Sequence, residues 1–248
     1  MLILLGLFSG LLAGVFGVGG GVVLVPIIKA LGFTPVQAVA TSSLAIILTS
    51  LSGSFQNWRT GSLDFRKVIL LGLPSIATAQ IGAYLADYVA PKILLISFSI
   101  FLLINIGLSQ VKRRIIASAK TSQESQTNHL IARIFTGGLT GLLAGFFGIG
   151  GGIILVPLQI LLLQEPIKTA IQTSLGVIVI TSMSATLQHT IQDNVLFTQG
   201  LMLGFGGLIG AQISTRFLPR LPVKIVNFGF NLMLAILSVY IMYQAIGS

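Results

Sequence analysis

Gly10-Leu-Leu-Ala-Gly-Val-Phe-Gly-Val-Gly-Gly-Gly-Val-Val-Leu-Val-Pro26 returns as Gly141-Leu-Leu-Ala-Gly-Phe-Phe-Gly-Ile-Gly-Gly-Gly-Ile-Ile-Leu-Val-Pro157. Thirteen of the 17 aligned positions are identical, and the other four exchange Val for Phe or Ile. The offset, from 10 to 141, is 131 residues in a chain of 248. A glycine-broken apolar segment repeated at matching places in two halves points to the substrate site of a membrane transporter.

The repeat continues downstream. Thr49-Ser-Leu-Ser-Gly-Ser-Phe-Gln56 matches Thr181-Ser-Met-Ser-Ala-Thr-Leu-Gln188, and Ala79-Gln80 matches Ala211-Gln212. There the offset is 132, so one residue is inserted between the motif and the rest. Residues 1–111 and 132–248 are two copies of a four-segment unit, joined by the polar linker 112–131. Apolar segments run approximately over 2–31, 36–57, 66–88 and 91–111, then 133–163, 167–190, 196–218 and 222–246.

Hydrophobic residues make up 54% of the chain and charged residues 8%. Soluble domains carry roughly 25% charge, so the composition reads as an all-α polytopic membrane protein. The opening apolar stretch has no basic residue before it and no clear cleavage signal, and is expected to belong to the fold. The net charge of +9 comes from basic residues at helix ends, which fits anchoring at the membrane surface and not nucleic-acid binding. With no cysteine, disulfides and thiolate chemistry are excluded. Asp64, Asp87, Glu124, Glu165 and Asp193 all fall at loops or segment ends, so no span centre carries a carboxylate. A pump built on a buried acid, a metalloprotease and an aspartyl protease all lack their parts. No cofactor or metal is expected, and the partners are the lipid bilayer and a small anionic solute.

Segments 2–31 and 133–163 are too long for one crossing and are broken by glycines, each of which costs a helix interior about 1 kcal/mol. If each turns back at its break, twelve of the 14 basic residues share one side and only Lys29 and Lys92 lie on the other. If each crosses, the division is eight to six. The positive-inside rule selects the first arrangement: two inverted repeats, each a glycine-broken helical hairpin plus three transmembrane helices. It places the linker in the cytoplasm and both termini outside.

A helix that starts within the membrane exposes unpaired N–H groups and a positive dipole end, and glycine lets an anion approach them. Gly19, Gly20 and Gly21, with Gly150, Gly151 and Gly152, are therefore candidate ligand sites. The upstream series Gly6, Gly10, Gly14 and Gly137, Gly141, Gly145 has the four-residue spacing of packed helices. Thr41, Ser42, Thr173 and Ser174 supply neutral donors at matching places, with interhelical hydrogen bonding as the alternative. Gln56, Gln80, Gln188 and Gln212 are candidates for the solute pathway. His189 stands where the first repeat has Asn57; it is a candidate for proton exchange, although its place near a segment end reads as an interfacial histidine.

The paired glycine motifs, followed by Ala40-Thr41-Ser42 and Gln172-Thr173-Ser174, resemble the sulfite exporter TauE/SafE family over essentially the whole chain. The resemblance implies secondary-type movement of sulfite, sulfonates or related sulfur-containing anions across the plasma membrane, with no enzymatic activity. The second repeat departs at Leu175, where the first has Ser43, so the two half-sites are not chemically equal. The contrasting class is a structural or regulatory membrane subunit without transport of its own.

Overall fold

Helix boundaries follow local chemistry in the computed structural model, which describes residues 1–118 and 126–246. Helix α1 (Leu2–Phe16) stops at Gly17, whose φ of 69° lets its N–H return to the carbonyl of Ala13. Helix α2 (Gly21–Ala30) starts four residues later. Helix α3 (Pro35–Arg59) opens with a capping box: the Thr34 hydroxyl accepts from the N–H of Gln37, and the Gln37 side chain accepts from the N–H of Thr34. Asp64 caps α4 (Phe65–Tyr88) by accepting from the N–H groups of Arg66 and Lys67. After α5 (Pro91–Ser118) the second repeat supplies α6 (Gln126–Phe147), α7 (Gly152–Leu162), α8 (Ile167–Ile191), α9 (Phe197–Phe217) and α10 (Val223–Ile246). Among the described residues there is no strand. Helices α5 and α6 reach into the expected 112–131 linker from either side, and residues 119–125 lie outside the described residues.

The two long segments are hairpins. Helix α2 returns along α1, so that Val23 lies with Phe8 and Leu12, while Pro26, Ile27 and Ala30 share a groove with Leu5 and Phe8. In the second repeat Gly151 lies back against Thr140 and Ala144.

Small residues bring the helices together. A Cβ on Gly6, Gly10 or Gly14 would overlap Leu203, Gly207 or Ser214 of α9, and one on Gly137, Gly141 or Gly145 would overlap Leu71, Ser75 or Ala79 of α4. This is the packing expected of those upstream glycines, since apolar side chains alone do not drive association in lipid. Rising numbers meet rising numbers, so α1 runs with α9 and α6 with α4. Ser52 donates to the Leu208 carbonyl and Ser184 to that of Ile76, aligning α3 with α9 and α8 with α4. Helices α3 and α8 oppose each other, since Gly53 meets Leu175 and Asn57 meets Gln172. Thus α1, α3 and α9 run one way and α4, α6 and α8 the other.

Each hairpin leans on the other repeat. Phe16 of α1 packs edge-on against Phe230 of α10 (6.1 Å), and its counterpart Phe147 stacks on Phe98 and Phe101 of α5 (5.2 and 5.0 Å). Ser99 joins α5 to the Ser238 carbonyl of α10. The sequence repeats are interleaved in space.

Six helices among the described residues are long and apolar enough to cross a membrane: α3, α4, residues 130–147 of α6, α8, α9 with the turn that follows it, and α10. Large apolar side chains such as Phe8, Ile104, Phe205, Phe228 and Val239 point outward, whereas the interior holds Ser, Thr, Asn, Gln and His. No Asp, Glu, Lys or Arg among the described residues is buried. An apolar exterior around a neutral polar interior is the distribution lipid requires.

Gly141→Ala should lower thermal stability in detergent by about 1–3 kcal/mol, because its Cβ meets the Ser75 carbonyl and the Thr78 hydroxyl. Leu103→Ala, on an outward-facing position, should leave the unfolding midpoint in place. Equal midpoints for Gly141→Ala and the parent would contradict this account of the helix contact.

Candidate functional site

The two glycine breaks meet. Gly20 and Gly151 cap α2 and α7 with φ of 87° and 88°, a left-handed conformation that costs a residue with a side chain about 1–2 kcal/mol. Gly21 presses on the Gly148 carbonyl and the Ile149 backbone, and Gly152 on the Gly17 carbonyl and the Val18 backbone. No side chain fits at either contact. Gly19 and Gly150 are both backed by the same isoleucines, Ile46 of α3 and Ile178 of α8. Residues 17–21 and 148–152 are buried throughout.

Serines cross-brace this contact. Ser42 Oγ donates to the carbonyl of Gly148 (2.6 Å), and Ser174 Oγ to that of Gly17 (2.8 Å). Each also lies within reach of a carbonyl on its own helix, Val39 or Ile171. Thr181 donates to the Gly150 carbonyl (2.9 Å) and Ser9 to the Gly20 carbonyl (2.9 Å). The hydroxyls therefore serve carbonyl oxygens. The N–H groups of Gly19, Gly20, Gly150 and Gly151 have no acceptor among the described residues. Their donors are supplemented by two helix dipoles with their positive ends here. Helix starts with unpaired N–H groups favour negative charge.

Of the residues singled out in the sequence, the six glycines, Ser42 and Ser174 share this centre. Thr41 stands apart from it, on the side of α3 turned toward α9, and Thr173 makes no side-chain hydrogen bond to it. Thr41 accepts the N–H of Leu196 at the start of α9 (3.1 Å), while the hydroxyl of Thr173 is buried without a partner. Gln212 donates to Gln56 (3.0 Å), and Ser52 also reaches Gln212, joining α3 to α9. The equivalent pair Gln188 and Gln80 is half-buried, and their side chains make no hydrogen bond to the described residues. Leu175, the departure from Ser43, fills the space over Gly53, whereas Ser43 bonds back to Val39.

His189 is enclosed by protein and not exposed at the surface. It is fully buried, and its Nε2 donates to the carbonyl of Gly145 (3.2 Å), which fixes that tautomer. Close packing of α6 and α8 removes it from the surface, although it stands two residues from the end of α8. Ser9, Thr140, Ile46 and Ile178 were not among the sequence candidates. A usable signal existed for the first two, because a hydroxyl recurs 131 residues apart immediately before Gly10 and Gly141.

A family model described as Sulfite exporter TauE/SafE matches residues 2–241. The chain is 31% identical to a Bacillus subtilis protein called probable membrane transporter protein YunE, over all of this chain and 98% of that one. It is 27% identical to the probable membrane transporter protein MJ0441 of Methanocaldococcus jannaschii, covering 83% of this chain and 76% of the relative. A probable membrane transporter protein of Xylella fastidiosa strain Temecula1 is 25% identical over 95% of this chain and 92% of its own length. No solved structure matches.

Ser42→Ala and Ser174→Ala should each destabilise the protein by about 1–3 kcal/mol, because each strands a buried glycine carbonyl of the opposite break. Thermal unfolding of the purified variants measures this. Parent-like midpoints for both would mean that these cross-braces do not hold the breaks together.

Proposed function

This chain belongs to the sulfite exporter TauE/SafE family, and on that premise we propose that it carries sulfur-containing oxyanions or organosulfonates across the plasma membrane. The carrying observation is the pair of helix starts packed against each other, with unpaired glycine N–H groups and, among the described residues, no buried charge of either sign. Neutral donors and helix dipoles attract an anion without holding it as a fixed cation would, so release stays possible. Because both breaks are buried, a solute reaches them only when helices move, which supports alternating access over an open pore.

The helix directions support inverted insertion of the two repeats. Arg59, Arg66, Lys67, Arg133, Lys168, Arg216, Arg220 and Lys224 gather at one end of the bundle, and Lys29 and Lys92 at the other. The basic end is the cytoplasmic one, which leaves both termini outside. The two glutamine pairs, one bonded and one not, are the candidates for the solute pathway.

The protein alone, reconstituted in liposomes, should show saturable sulfite flux that a small sulfonate or thiosulfate competes. Absence of flux for every sulfur anion tried would sink the proposal and favour a non-transporting membrane subunit. The chain has no cysteine of its own, so orientation can be read from single additions. In intact cells an impermeant thiol reagent should label Ala90→Cys and spare Thr60→Cys; equal labelling would overturn inverted insertion.

A further inference from the structure

A groove runs along the first hairpin, between its two helices and α10. Phe16, Gly229 and Met233 line one half, Ala30 and Tyr240 the other, and Phe8 is common to both. The halves hold about 300 and 400 Å³. Phe8, Ile236 and Tyr240 are exposed, so the groove opens sideways, where the bundle meets lipid. The second repeat fills the matching space with aromatic rings. Its Phe101 and Phe146 stand where the first repeat has Met233 and Val15, and both pack on Phe147, at 5.0 and 4.9 Å. Smaller side chains at those two places leave the first hairpin with a hollow.

The length, lining and charge of the groove select its occupant. Gly229 and Tyr240 are 11 residues apart on α10, about 16 Å of helix. The hydrocarbon of one leaflet is about 15 Å deep, half of a bilayer core. The lining is apolar except for the Tyr240 hydroxyl, which already bonds Gln244 (3.2 Å), so an anionic solute would find no donors along it. Gln244 also donates to the Pro26 carbonyl (3.3 Å), which sets the last turn of α2, with Lys29, beside the end of α10. Ser99 donates to the Ser238 carbonyl (2.8 Å), and the start of α5, with Lys92, lies at that same end of the bundle. Neither lysine makes an ion pair among the described residues. A second copy docked symmetrically would bring its own Lys29 and Lys92 to this end, where like charges repel. An acyl chain beneath an anionic head group matches both the apolar length and the charge.

We propose that one anionic phospholipid seats an acyl chain in this groove, with its phosphate beside Lys29, and holds the first hairpin against α10. The lipid takes the place of the phenylalanines that prop the second hairpin against α5. This site is separate from the glycine breaks and does not depend on which solute the protein carries.

The test is native mass spectrometry of the full-length chain released from nanodiscs that contain phosphatidylglycerol and phosphatidylcholine in equal amounts and of equal chain length. One phosphatidylglycerol retained per chain, in preference to phosphatidylcholine, is expected. Lys29→Gln should lower that preference about fivefold. Met233→Phe, which copies the second repeat, should abolish retention of either lipid. A parent that retains no lipid, or both lipids equally, would overturn the proposal, as would retention unchanged by Met233→Phe. A parent dimer that Met233→Phe converts to monomer would give the groove to a second copy instead. Should Met233→Phe fail to fold, an unchanged preference in Lys29→Gln would still overturn the proposal.

Discussion

A helix that begins inside a low-dielectric interior has donors that water cannot reach, and the rest of this structure is arranged around two such starts. Each unsatisfied backbone group in hydrocarbon costs several kcal/mol, so broken helices persist in membranes only where protein or solute surrounds them. Here each break is covered by the other. Gly21 and Gly152 let the backbones touch, and Ser42 and Ser174 take up the carbonyls of Gly148 and Gly17 across the contact. The N–H groups of Gly19, Gly20, Gly150 and Gly151 stay unpaired among the described residues. The polarity of the site follows from which half of the peptide unit the serines have satisfied.

Holding the breaks together requires close approach of the surrounding helices, and glycine supplies it. The hairpin of each repeat lies in the grip of the other repeat's helices, α1 against α9 and α10, and α6 against α4 and α5. A movement of one hairpin is therefore felt across both repeats. The hydroxyl and amide bonds among these helices are neutral and exchangeable, so helices can slide without exposing a buried charge. The matched glutamines are bonded between α3 and α9 and unbonded between α8 and α4, which breaks the symmetry that the duplicated sequence would otherwise impose.

Much of this was written in the chain, and the reason is locality. The doubled motif, the turning back at each break and the spacing of the upstream glycines rest on neighbours within a few residues. Glycine at a left-handed φ and a four-residue stripe of small side chains have the same consequence in any context. The start of α3 at Thr34 and of α4 at Asp64 likewise follows from side chains that bond N–H groups two or three residues away. From composition and these signals alone, an all-helical membrane protein with two matched breaks was determined.

Tertiary structure decided what each hydroxyl meets. Thr41 and Ser42 are adjacent in sequence, yet helical geometry turns them about 100° apart, one toward the start of α9 and the other toward the glycine break. The partners of Ser42 and Ser174 lie 106 and 157 residues away, beyond any local pattern. His189 stands near the end of α8, and its enclosure was set by the approach of α6 at Gly145. The difference between Ser9 and Thr140 is conservative in sequence. It becomes a difference in hydrogen bonding only because a methyl group takes the place where the serine oxygen meets its carbonyl. Local chemistry set where the chain breaks and turns; the packing of helices distant in sequence determined which donors were left without a protein partner.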